Sequence, residues 1–162
     1  LNIKNKQVQV HSDILPHLTQ MLDSAKSQGV EIQILSGFRS FSTQASLKSE
    51  YKTTYGSGAN KFSADQGYSE HQLGTTLDFT TEKVGAVLAG FDKTEAYKWM
   101  STNAHKYGFI LSYPKNNAYY VYEPWHWRYV GVALATKLYD QKLNFYDASQ
   151  RDIDQYLANI FD

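Results

Sequence analysis

The chain contains no cysteine, which removes disulfide staples, thiolate metal ligands and a cysteine nucleophile from consideration. Any metal it holds must be taken by His, Asp or Glu. Neither sign of charge is in excess, since 16 Lys and Arg stand against 16 Asp and Glu. No global field therefore favours nucleic acid or an anionic membrane, and recognition has to be local. No stretch approaches the roughly 20 apolar residues of a membrane span, and LNIKNKQVQV at the start lacks the apolar core of a signal peptide. Because the chain opens on Leu1 rather than Met, an upstream signal or anchor is compatible with this reading. Repeats and low-complexity tracts are also missing, which sets aside solenoids and disordered linkers. What remains is 162 residues, 42% hydrophobic and 15% aromatic. That is enough for one packed domain over residues 1–162.

Periodicity supplies the elements. Ser12-Asp13 is a cap for a helix whose apolar positions Ile14, Leu15, Leu18, Met21 and Leu22 follow helical spacing until Gly29. Val30-Glu31-Ile32-Gln33-Ile34 alternates as a half-buried strand does, and it delivers the segment SGFRS. A polar helix is expected over residues 42–55, followed by a long loop of turn formers, YGSGANKFSADQGYS. Residues 77–80 read as a short strand and 94–107 as an amphipathic helix ended by Gly108. Further strands are expected at FILSY and at residues 119–122 and 125–130, then helices near 132–139 and 151–160. Helices mixed with local hairpins, without regular βαβ alternation, predict an α+β fold with a small, mainly antiparallel sheet.

Two segments carry chemistry. His71 and Asp78 lie in YSEHQLGTTLDF, and Glu123 and His126 lie in YEPWHWRYV. Two imidazoles and a carboxylate can hold Zn²⁺ with a position left for water, and a second carboxylate can serve as base. Seven residues of helix would separate His71 from Asp78 by about 10 Å, too far for one metal. Gly74 permits a turn between them, so His71 is placed in a loop and Asp78 on a strand. Pro124 biases Glu123 towards an extended strand entrance. Alternation then sends His126 and Arg128 to one face, Trp125 and Trp127 to the other, into the core. Singly, each of these His and acidic residues is more commonly an ordinary solvated side chain. The ordered combination keeps a catalytic metal in contention.

Three blocks, SGFRSFSTQ (36–44), SEHQLGTTLDF (69–79) and EPWHWRYVG (123–131), closely resemble those of the D-Ala-D-Ala carboxypeptidases of the VanY and LdcB type. These are zinc peptidases related in fold to the lysostaphin catalytic domain and hedgehog domains. The resemblance runs from Val30 to about Leu138; the first thirty residues and the C-terminal helix match only loosely. Gln66-Gly67 stands where many relatives carry Pro-Gly, and Thr76 where a small apolar residue is frequent. By resemblance His71, Asp78 and His126 are the zinc ligands, Glu123 the general base, and Arg39 the arginine for a carboxylate or oxyanion. Gln44 and Ser69 are implied as substrate-binding, and Tyr68, Tyr120 and Trp125 are candidates for a peptide groove. Arg128 is expected to support the site through an ion pair, while His11, His17 and His105 are given no catalytic role.

The resemblance implies a zinc-dependent peptidoglycan carboxypeptidase that removes terminal D-alanine from stem peptides by D,D- or L,D-cleavage. Its partner is the stem peptide, with no nucleic acid and no membrane span, and the chain is expected to be a monomer. The substrate places it outside the cytoplasmic membrane, at the cell surface, in a periplasm or secreted. A peptidoglycan endopeptidase or lysin is one alternative, and a non-catalytic zinc-stabilised wall-binding module is another. Retention of Glu123 argues against the latter, because a structural metal needs no base.

Overall fold

A computed structural model of the chain describes residues 8–55, 64–115 and 117–157. Its centre is a four-stranded sheet in the order β1-β2-β4-β3, formed by β1 (Gln33–Ser36), β2 (Thr76–Thr80), β3 (Phe109–Leu111) and β4 (His126–Tyr129). Every pairing is antiparallel. The helices are α1 (Leu15–Ser27), α2 (Phe41–Tyr55), α3 (Glu95–Asn103), α4 (Val132–Gln141) and α5 (Gln150–Leu157). The α+β architecture expected from the sequence is the one observed.

The sheet separates two apolar clusters. Phe109 and Ile110 are neighbours on β3, so their side chains point to opposite faces. Phe109 joins Leu77, Phe79, Trp127 and Tyr129 in packing against α1 and α3, whereas Ile110 joins Leu134, Leu138, Phe145 and Ile153 around α4 and α5. Each large side chain so buried contributes roughly 1.5–3 kcal/mol. Alternation on β2 and β4 leaves Asp78, His126 and Arg128 on the face away from the first cluster.

Several local expectations change. Ser12 and Asp13 belong to a 3₁₀ turn, Ser12–Ile14, that leads into α1. Its cap is His11, whose ring accepts from the Asp13 N–H, while the Ser12 hydroxyl is spent on the Asp13 carboxylate and α1 itself has no side-chain cap. At the other end of α1, Gly29 is left-handed, and the N–H groups of Gly29 and Val30 return to the carbonyls of Lys26 and Ala25. That closure is a Schellman turn. It occupies the Val30 backbone, so β1 begins at Gln33 rather than at Val30. Residues 94–107 divide: Thr94 caps α3, and a separate 3₁₀ turn covers Ala104–Tyr107. Residues 119–122 form no strand, because the Asn117 side chain accepts from the N–H groups of Tyr119 and Tyr120 at 2.8 and 2.7 Å. Side-chain acceptors of this kind compete with ladder pairing. Most of the loop after α2, and the chain beyond residue 157, lie outside the described residues.

Candidate active site

Strand register assembles the site. Ser36 on β1 and His126 on β4 both pair with Asp78 on the intervening β2, giving one row across three strands. His71 arrives from a 3₁₀ turn, Glu70–Leu73, that Gly74 closes at φ +72°. The chain turns at this glycine as its permissive backbone predicts. Gly37 makes the opposite contribution through smallness, since a Cβ there would meet the Gln9 carbonyl and Val8 at 2.5 Å. Its own carbonyl lies 2.8 Å from His71 Nδ1.

That contact fixes the imidazole. With Nδ1–H donating to Gly37, the His71 lone pair is on Nε2, which lies 3.3 Å from Asp78 Oδ2. Burial pushes the His71 pKa down against the pull of Asp78, favouring the neutral ligand form. His126 is turned the other way: Nε2 sits 2.8 Å from Glu70 Oε2, and Nδ1 faces Asp78 Oδ1 and Glu123 Oε2, each at 3.4 Å. Burial opposes the charged form of His126, yet Asp78 and Glu70 outweigh it and raise the pKa to about 10. Asp78 is held far below the usual carboxylate range, because the two histidines overcome the burial that would raise it.

Zn–N and Zn–O distances of about 2.0–2.2 Å put tetrahedral ligand atoms about 3.3 Å apart. His71 meets Asp78 Oδ2 at 3.3 Å and His126 meets Asp78 Oδ1 at 3.4 Å, each contact close to that edge, and one ligand atom each from His71, Asp78 and His126 lies within 4.8 Å of the others. Asp78 Oδ1 is buried without a hydrogen-bond partner, an arrangement that a cation would satisfy. Both imidazoles also carry the outer support that ligating histidines ordinarily have, a carbonyl for one and a carboxylate for the other.

A cavity of about 210 Å³ opens over this row, and Arg39, Gln44, Ser69, Tyr120, Glu123 and Trp125 all line it. Glu123 is held up at about 7 by burial, with His126 opposing and Asp78 reinforcing. Arg39 is less free than the sequence suggested. Its Nη2 donates to Asp78 Oδ2 at 2.7 Å and to Ser36 Oγ at 3.1 Å, so it braces the Asp78 carboxylate as well as lining the cavity. Trp127 is buried as expected, but Trp125 is half-buried and lines the cavity rather than only the core. Tyr68 is 79% exposed and lies off the cavity wall. His11 caps a turn, His17 rests on Tyr129, and His105 stacks on Tyr139 at 3.7 Å, all away from the cavity.

Four participants escaped the sequence reading. Glu70, adjacent to His71, is 4% exposed and accepts from His126, Arg128 and Tyr146 at 2.8, 2.9 and 2.7 Å. Burial would raise its pKa, but these partners hold it at about 2. Arg128 thus makes its ion pair as expected, with Glu70 as the acceptor. Tyr113 stacks on His126 at 4.4 Å. Leu88 lines the cavity from a left-handed backbone at φ 62°, on a loop that the Thr80 hydroxyl ties to β2 through the Gly85 carbonyl. The one sequence signal for Glu70 was Arg128 itself, a cation on the inward face beside His126 that needed an anion.

Comparison with known proteins places this geometry. The family profile described as "VanY: D-alanyl-D-alanine carboxypeptidase" matches residues 7–132. The YodJ protein of Bacillus subtilis is 41% identical over 137 residues, covering 78% of this chain and 48% of its own. The structure of the LD-carboxypeptidase LdcB superposes with TM-score 0.81 at 34% identity, over 90% of this chain and 73% of that one. A variant of the vancomycin-resistance D,D-pentapeptidase VanY in complex with Zn(II) gives TM-score 0.75 at 29% identity, over 97% and 88%. The chain spans about half the length of the sequence relatives it matches.

Proposed function

Because the chain belongs to the VanY family of D-alanyl-D-alanine carboxypeptidases, we propose that it is a zinc-dependent peptidoglycan carboxypeptidase that removes the terminal D-alanine of stem peptides. The observation that carries the reading is the buried His71–Asp78–His126 cluster with Glu123 beside it at the floor of a cavity. A VanY relative binds Zn(II), and the donor set here suits the same ion. When bound, Zn²⁺ supplies Lewis acidity that polarises the scissile carbonyl and lowers the pKa of water.

The protein's own residues do the rest. Hydrogen bonds that His71 Nδ1 and His126 Nε2 donate to the Gly37 carbonyl and the Glu70 carboxylate turn His71 Nε2 and His126 Nδ1 towards Asp78, and Arg39 and the β2 backbone hold Asp78 between them. Glu123 takes the proton of the attacking water at its carboxylate and returns it to the leaving amine, which its raised pKa favours. Arg39, which lines the cavity, binds the substrate carboxylate or the developing oxyanion. Gln44 and Ser69 line the same wall and offer polar contacts to the peptide, while Tyr120, Trp125 and Leu88 supply apolar surface. In this reading residues 1–162 act as a single peptidase domain and as a monomer, outside the cytoplasmic membrane, where stem peptides are found. None of the described helices is long and apolar enough to cross a membrane.

The test is incubation of the zinc-loaded protein with muropeptide pentapeptide and tetrapeptide. Released D-alanine from the pentapeptide identifies D,D-cleavage, and from the tetrapeptide L,D-cleavage. Release from neither, with zinc bound, excludes the carboxypeptidase reading and leaves an endopeptidase acting on crosslinks or the non-catalytic module.

A further inference from the structure

The segment that follows α4 reaches back to the site from beyond residue 132, where the family match ends. Helix α4 stops at Lys142 in a left-handed turn, and a 3₁₀ turn over Phe145–Asp147 then passes beneath the sheet. Phe145 is buried there under the Arg128 guanidinium, 4.8 Å from its ring. The next residue, Tyr146, donates its hydroxyl to Glu70 Oε1 at 2.7 Å, the oxygen that Arg128 also contacts at 2.9 Å. The other oxygen of Glu70 serves His126. The turn is itself fastened from outside, since Tyr119 Oη lies 2.6 Å from Asp147 Oδ1 and 2.9 Å from the Tyr146 carbonyl.

We propose that Tyr146 is a positioning residue for the metal site, acting through Glu70 on the ligand His126. A carboxylate with one acceptor on His126 can rotate about its own axis unless its second oxygen is pinned. Arg128 and Tyr146 pin it from two directions, and so set the angle at which Oε2 meets His126 Nε2. Burial and the nearby Glu70 charge push the Tyr146 phenol up from its ordinary pKa, so the hydroxyl stays a donor at neutral pH. The C-terminal turn is therefore part of the site's machinery and not only a cover for the second apolar cluster. This rests on the zinc reading of the His71–Asp78–His126 cluster.

Tyr146→Phe keeps the ring and removes only the donor. In the full chain, zinc affinity by chelator competition should fall about three- to tenfold, below the 10- to 100-fold typical of losing a direct partner of a ligand. kcat should fall with it and KM for the peptide should hold, with apo-protein melting as the control for folding. In a Glu70→Gln background the same change should add almost nothing, because the side chain no longer accepts from His126 there and Tyr146 has nothing to pass on to it. Wild-type zinc affinity in Tyr146→Phe, or fully additive losses with Glu70→Gln, overturns the inference while leaving the proposed function standing. A wild-type chain that binds zinc without releasing D-alanine fails the function instead, and the affinity shift still decides Tyr146. A wild-type chain that binds no zinc overturns both.

Discussion

Replacing Glu70 by glutamine removes one charge from the buried face of the site and changes almost no volume. The carboxylate serves donors at both oxygens, His126 at Oε2 and Arg128 with Tyr146 at Oε1. An amide has only one oxygen. If that oxygen stays with Arg128 and Tyr146, the NH₂ group faces His126 Nε2 and must donate to it. The imidazole proton is then driven to Nδ1, the nitrogen that faces Asp78 and Glu123, and the lone pair needed for a metal is lost. If the amide flips, the NH₂ group meets two donors instead. Either way His126 also loses the negative partner that strengthens it as a donor. Outer-shell losses of this kind cost about 10- to 100-fold in metal affinity, roughly 1.4–2.7 kcal/mol. Loss of a buried charge partner for Arg128 further destabilises the apoprotein, by about 2–3 kcal/mol. For a chain of this length that corresponds to a melting temperature lower by about 5–10 °C. Chelator competition reads the first effect and apo thermal melting the second. Glu70→Gln with wild-type zinc affinity would show that the Glu70–His126 contact has no part in holding the metal.

Other perturbations separate the remaining roles. Glu123→Gln should keep zinc affinity near wild type and reduce turnover by about 10²- to 10⁴-fold, as loss of a general base does; equal losses in both would mark Glu123 as a ligand. Leu88→Ala keeps the strained backbone and trims only the cavity wall, so KM for the peptide should rise several-fold with zinc affinity unchanged. Gly37→Ala places a methyl group against the Gln9 carbonyl and Val8. It should lower the melting temperature and, by displacing the carbonyl that orients His71, weaken zinc binding as well; loss of stability with unchanged affinity would dissociate the two.

Legibility followed the range of the interactions. His71, Asp78, Glu123 and His126 stand within short segments whose turn formers, Gly74 and Pro124, announce how the chain must bend, and the structure puts them together as expected. Glu70 had no local signal as a participant because its partners lie 56, 58 and 76 residues away. Nothing local separates such an acid from a solvated one. The aromatic run at 119–122 suggested a strand on side-chain propensity, but the Asn117 carboxamide captured the backbone donors first. Likewise the apolar alternation from Val30 was correct, while the Schellman turn after α1 delayed the ladder to Gln33. In each case a specific hydrogen bond overrode a pattern. Arg39 shows a further limit: sequence placed it near the site, and only the folded chain ties it to Asp78 and Ser36.

We propose that one zinc ion at His71, Asp78 and His126 makes this chain a D-alanine-releasing peptidase. Titrating metal-free protein with Zn²⁺ while following D-alanine release from a stem peptide tests it most directly. Release should be absent under chelator, rise in proportion to added zinc, level at one equivalent, and be lost in His126→Ala. Release that persists without metal, or no release at a filled site, would contradict it.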